Sequence, residues 1–142
     1  MKVCSYKGLV MVVMLRDEHC PPHVHVDGGR WSARFKFSFW HNGVELWDVI
    51  PYARRPPLAV LEGLRQELKQ TAHLQRARTI WWAKIQTACL DNQLWDWLTD
   101  EVVATKRLGS TTYLIESARY ELEGNKTLLG LVDAPDGVEI EL

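Results

Sequence analysis

At 142 residues, with 46% apolar and 25% charged residues and a formal net charge of −1, the chain has the composition of an ordinary globular protein. A chain this long buries roughly two thirds of its unfolded surface, so it holds a core without metal or disulfide staples. Three cysteines (Cys4, Cys20 and Cys89), odd in number and without a Cys-x-x-Cys, argue against a disulfide framework and fit a reducing, cytoplasmic compartment. The charge is uneven. Residues 1–98 carry a balance of +4 and residues 99–142 a balance of −5. Either the acidic tail packs beside the basic part or is solvated, or the basic part is a patch that meets another partner. Seven tryptophans, whose large amphipathic rings suit interfaces as well as cores, point toward a partner surface.

The N-terminus lacks the tripartite pattern of a signal peptide, and the apolar run Leu9 to Leu15 is too short to span a bilayer. Membrane attachment is not expected. The segment Leu9 to Arg16 reads as a strand, apolar on both faces, as suits a strand covered on both sides. Asp17 to Pro22 is a loop, since two prolines fix φ and remove backbone donors. His23 to Asp27 and Arg30 to Trp40 read as a hairpin about Gly28-Gly29, and Asn42-Gly43 turns the chain into a further strand, Val44 to Ile50.

A two-residue loop at Gly28-Gly29 sets Asp27 opposite Arg30, His25 opposite Ser32 and His23 opposite Arg34. Val24, Val26, Trp31 and Ala33 then share the core face, continued by Phe35, Phe37 and Phe39. His23, His25, Arg34 and Lys36 share the other face. A one-residue slip would bury Arg34 and Lys36, which is costly.

Pro56-Pro57 precede a helical run with Leu58, Leu61, Leu64 and Leu68 at helical spacing. A second run places Ala77, Trp81, Ile85, Ala88 and Trp95 on one face. One bent helix and two helices broken near Thr71 to His73 both fit. Past Leu98 the pattern returns to strand: Tyr113 to Glu116, Arg119 to Glu123, Thr127 to Asp133 and Gly137 to Leu142. The turns are Glu123 to Lys126 and Ala134 to Gly137. The expected fold is α+β. A four-stranded antiparallel β-meander packs on one or two helices over residues 1–98, and a β-rich extension over 99–142 docks on it.

His19, His23 and His25 form the pattern His-x3-His-x-His. Histidines at i and i+2 on a strand point the same way, roughly 6.5–7 Å apart at the backbone. Their rings can converge on one divalent ion such as zinc, with His19 or Cys20 as third ligand. Histidines on a solvated hairpin face need no function, and Arg34 nearby repels a cation. The third reading is acid–base work, with Asp17, Glu18 or Asp27 orienting a ring.

Arg54-Arg55, with Arg65, Lys69, His73 and Arg76, make a basic stripe able to follow a phosphate backbone, interrupted by Glu62 and Glu67. Adjacent helical residues point about 100° apart, so Trp81 and Trp82 cannot both face a narrow core. One of them, with Arg54 and Arg55, is a candidate interface residue. The chain has no Gly-x4-Gly-Lys-Ser/Thr, Gly-x-Gly-x-x-Gly or Gly-x-Ser-x-Gly motif, which removes support for nucleotide-driven, dinucleotide and serine-hydrolase chemistry.

The stretch Glu18-His19-Cys20-Pro21-Pro22-His23-Val24-His25-Val26 resembles the hallmark of the bacterial domain-of-unknown-function 4160 family: acidic residue, His, any, Pro, Pro, His, any, His. Tyr6-Lys7-Gly8 resembles the family's start, and Ala88 to Trp97 is similar to its closing helix. The motif carries over to His19, Pro21, Pro22, His23 and His25. Cys20 departs from the commoner Gly or Asn, the stretch Trp40 to Thr71 is longer than usual, and residues from Leu98 onward have no counterpart. The resemblance implies a small protein in a toxin–antitoxin-like pair, with no established activity. The expectation is a non-enzymatic interaction or regulatory module with a small protein partner or self-association. The alternative is a metal-dependent hydrolase or nuclease using His19, His23 and His25.

Overall fold

The computed structural model describes every residue except Asp17. The chain forms two compact units, one from Met1–Ser38 and Asn42–Gln86, the other from Phe39–His41 and Thr87–Leu142.

The first unit is an antiparallel meander with two helices. Its strands are β1 (Lys2–Tyr6), β2 (Leu9–Val12), β3 (His23–Asp27), β4 (Ser32–Lys36) and β5 (Glu45–Ile50), in spatial order β1-β2-β3-β4-β5. The meander therefore has five strands, one more than the sequence pattern indicated. The missed strand, β1, pairs with β2 across a two-residue loop, Lys7-Gly8, with Tyr6 opposite Leu9. Both loop residues have positive φ, 47° and 80°. That geometry matches the right-handed twist of a hairpin.

The β3–β4 register differs from the expected one. Asp27 faces Ser32, Val26 faces Ala33, His25 faces Arg34 and His23 faces Lys36. The loop is Gly28 to Trp31, closed by the Gly28 N–H donating to the Trp31 carbonyl at 2.8 Å. The displacement is two residues, and strand side chains alternate with period two, so no residue of β3 or β4 changes face. Val24, Val26, Ala33 and Phe35 are buried together as expected, while Trp31 leaves the strand for the turn.

Asn42-Gly43 is not a two-residue hairpin turn. Lys36 already faces Glu45, so residues 37–44 form the connection. The Phe37 N–H is taken by the Pro22 carbonyl at 3.0 Å, and Phe39 belongs to the other unit.

The helices are two, α1 (Leu58–Lys69) and α2 (Thr71–Ile85), broken at a single extended residue, Gln70, with ψ 137°. The His73 Nδ1 donates to the Glu67 carbonyl at 2.7 Å and ties the start of α2 to the end of α1. Leu61, Leu64 and Leu68 of α1 and Leu74, Ala77 and Trp81 of α2 are buried, whereas Leu58 is 77% exposed at the first position. Gln86, in the left-handed region at φ 63°, ends α2. Ala88 and Trp95 therefore do not continue its face, and their helical spacing is a coincidence of sequence.

The second unit is a sheet ordered β10-β9-β8-β6-β7. Its members are β6 (Leu94–Asp96), β7 (Glu101–Val103), β8 (Thr112–Glu121), β9 (Lys126–Leu131) and β10 (Val138–Glu141). Trp95 lies in β6, so the stretch that is similar to a closing helix contains a strand. The two segments expected at Tyr113 to Glu116 and Arg119 to Glu123 are one strand, β8. A bulge between Ile115 and Ser117 breaks its alternation and divides the pattern in sequence. Phe39 stacks edge-on against Tyr120 at 5.2 Å, which draws residues 39–41 into this unit.

Cys4 is a free, buried thiol. Among the described residues, no helix is long and apolar enough to cross a membrane.

Candidate metal centre

Three side chains of the first unit converge. Glu18 comes from the loop after β2, and His23 and His25 come from the outer face of β3. One ligand atom from each lies within 4.8 Å of the others. The loop reaches this position because its prolines offer only carbonyls for hydrogen bonding. The Pro21 carbonyl accepts from His23 Nδ1 at 2.7 Å, and the Pro22 carbonyl accepts from the Phe37 N–H.

The first of these bonds decides the state of the His23 ring. A carbonyl cannot donate, so Nδ1 carries the proton, and a neutral ring then has a bare lone pair at Nε2. That Nε2 lies 2.6 Å from Oε2 of Glu18, and the His25 Nε2 lies 3.2 Å from Oε1 of the same carboxylate. An ionised carboxylate is an acceptor only, so this contact is held either by a proton on His23 Nε2 or, with the donors moved apart, by a shared cation. Burial pushes the His23 pKa below its ordinary value. His25 and Arg34 push it the same way, against the Pro21 bond and Glu18. The neutral ring is the form that binds metal, and a histidine ligand characteristically gives its other N–H to a carbonyl or carboxylate. For bonds of about 2.0–2.1 Å in tetrahedral geometry, donor atoms stand roughly 3.3–3.4 Å apart. The 3.2 Å separation is close to that, whereas the 2.6 Å one is about 0.7 Å short of it, so Glu18 and His23 must move apart to hold an ion.

The walls follow from the sheet register. Phe35 pairs with Leu46 and Arg34 with Asp48, leaving Trp47 as the extra residue of a bulge in β5. Bulges re-aim side chains. The Trp47 ring lies edge-on to His23 at 5.1 Å and beneath the Arg34 guanidinium at 3.9 Å. Trp81 of α2 sits 5.4 Å from His23, ring to ring. His23 is consequently 3% exposed, so it is not on a solvated face as the strand alternation suggested. His25 keeps 22% of its side-chain surface, and the cluster opens to solvent on that side.

Arg34, expected to repel a cation, is held by Asp48. Its Nε donates to Oδ1 at 2.9 Å and its Nη2 donates to Oδ2. This bidentate pairing lowers the Asp48 pKa and raises that of Arg34.

Of the expected donors, His23 and His25 are brought together. His19 is exposed and outside the cluster, and Glu18 stands in the third place. Asp17 lies outside the described residues. Trp81 is fully buried, Trp82 is half-buried, and Arg54 and Arg55 are exposed. The basic stripe is largely engaged: Arg65 pairs with Glu62 at 2.7 Å, and Arg76 donates to the Lys2 carbonyl at 2.9 Å. Trp47 and Asp48 were missed in sequence. A cross-strand register could have indicated Asp48, but nothing local marks the bulge.

No protein-family profile, curated protein or solved structure matches the chain at a significant level.

Proposed function

We propose that the first unit is a metal-dependent module that holds one divalent first-row ion, with zinc the leading candidate, on Glu18, His23 and His25. The observation that supports this most directly is the convergence of one ligand atom each from Glu18, His23 and His25 within 4.8 Å, with the His23 Nδ1 proton held by the Pro21 carbonyl so that Nε2 faces the others. Two imidazoles and one carboxylate with an open side match catalytic zinc better than structural zinc, which closes its shell with four protein ligands. An ion so held polarises a bound oxygen and lowers the pKa of coordinated water, the chemistry of hydrolysis. The test is metal content of tag-free protein beside the His23→Ala/His25→Ala double variant. About one ion per chain, absent from the variant, is expected. Protein that takes up no zinc, cobalt, nickel, manganese or ferrous iron would end the reading.

A second reading, an interaction module with a small protein partner or self-association, draws on a different surface. Ile50, Tyr52 and Leu58 are 58%, 70% and 77% exposed within nine residues of chain that also hold Arg54 and Arg55. The Arg55 guanidinium stacks 4.1 Å from the Tyr52 ring, as arginine and tyrosine do at protein interfaces. A Tyr52→Ala/Leu58→Ser variant that leaves both oligomeric state and native co-purification unchanged would remove it.

A further inference from the structure

The outer face of β2 is unusual for a sheet in water. An antiparallel sheet with one packed face normally presents polar side chains on the other. Here Val10 and Met14 are 42% and 46% exposed, and Val12 pairs with His25 on the same face. These side chains form one wall of a half-open groove of about 380 Å³, whose other wall includes His25, Asp27 and Ser32. That size lies within the range of small-molecule sites, roughly 300–1,000 Å³. It also accounts for the apolar run Leu9 to Leu15, which reads as a strand covered on both sides although only its inner face is packed.

The groove has two unlike ends. At one, beside Met14, stands His25, whose Nε2 belongs to the Glu18–His23–His25 cluster. At the other, two residues further along β3 on the same face, stands Asp27, whose Oδ1 accepts from the Gly29 N–H at 2.8 Å. An anionic head is repelled by Asp27 and attracted by an ion at His25. The floor between, from Val12 to Val10, runs roughly 7 Å at about 3.4 Å per residue. It is apolar and carries no fixed charge.

We propose that this groove holds the apolar chain of a short- to medium-chain carboxylate or its acyl derivative, with the head group on the ion bound by Glu18, His23 and His25. The inference rests on the metal reading above and deepens it by naming the ligand class. Hydrophobic transfer increases affinity about three- to fourfold per fully buried methylene.

The experiment uses the full chain loaded with cobalt(II), whose visible absorption reports ligands entering its coordination shell. The probes are straight-chain carboxylates from acetate to octanoate, read in parallel by methyl NMR of Val10, Val12 and Met14 in loaded and metal-free protein. Octanoate is expected to bind about a hundredfold or more tighter than acetate. Val10→Asn should flatten that dependence while leaving cobalt(II) and acetate affinity unchanged. Met14→Gln, at another exposed position, serves the same purpose if Val10→Asn does not fold. Affinity independent of chain length, or no methyl shift with octanoate in either form, overturns the groove assignment whatever the metal result. Methyl shifts in a protein that binds no cobalt(II) overturn the metal reading and the head-group placement with it. A concentration-dependent dimer abolished by Val10→Asn overturns the proposal by giving the groove to a second copy of the chain.

Discussion

Replacing Glu18 by glutamine changes one oxygen for an NH2 group and reverses the polarity of the gap it shares with His23. In the metal-free protein at pH 8, His23 is neutral, because its pKa is lowered by burial from an ordinary 6.5. Its Nε2 lone pair then faces a carboxylate oxygen 2.6 Å away. A glutamine amide turned toward it donates a hydrogen bond instead, worth about 1 kcal/mol net. For a chain of 142 residues, 1 kcal/mol shifts Tm by about 3 °C, so the metal-free variant should melt about 3 °C higher than the wild type. With metal the sign reverses. At a free ion concentration of about 100 Kd the wild type gains about 2.7 kcal/mol, or about 8 °C. Losing even an outer-shell partner weakens metal affinity about 10–100-fold. Losing an anionic ligand should cost at least tenfold, which removes about 1.3 kcal/mol, or about 4 °C, of that gain at the same ion concentration. The assay is calorimetric or fluorescence melting at pH 8 of both proteins, in chelator and in zinc. A variant that is less stable than the wild type in chelator would refute the reasoning. It would mean that Glu18 and His23 form an imidazolium–carboxylate pair with its own proton and leave no place for an ion.

Cys4 has its pKa pushed up to about 11, chiefly by burial, with Glu67 adding. At pH 8 only about one thiol in a thousand is ionised. Iodoacetamide should leave Cys4 unmodified in the native protein and modify it fully in urea, as read by mass spectrometry; rapid native labelling would contradict the packing. Asp48 titrates below its ordinary value of 3.8 because Arg34 holds it. Its contribution to stability is present above 3.8 and lost as pH falls through the lower folded value. Urea midpoints measured from pH 6 to pH 2 should therefore fall less steeply for Asp48→Asn than for the wild type, and a double-mutant cycle with Arg34→Met should give a coupling of about 1 kcal/mol. A β-carbon at Gly137 would stand 2.6 Å from the Leu129 carbonyl oxygen, a backbone atom of β9 that cannot swing aside. Gly137→Ala should cost about 1–3 kcal/mol by denaturant unfolding, and a neutral result would show the β9–β10 connection to be looser than described.

The sequence by itself determined which side chains face inward. Period-two alternation in β3 and β4 separates Val24, Val26, Ala33 and Phe35 from His23, His25, Arg34 and Lys36, and that separation survives a two-residue error in register because two is the period. The same holds for Leu61, Leu64 and Leu68, whose helical spacing buries them wherever α1 rests. Pattern was silent where pairing is non-local or irregular. The bulges at Trp47 and between Ile115 and Ser117, the three-residue strands β6 and β7, and the departure of Phe39 to the second unit are decided by partners distant in the chain. The candidate site divides along the same line. His23 and His25 were legible because a strand makes residues i and i+2 neighbours. Glu18 and His19 are adjacent in a loop without periodicity, so which of them turns toward the ring pair depends on the path that Pro21 and Pro22 impose and on the carbonyls they present. Whether His23 is solvated or enclosed was likewise settled in three dimensions, by a tryptophan from β5 and another from α2 closing over it.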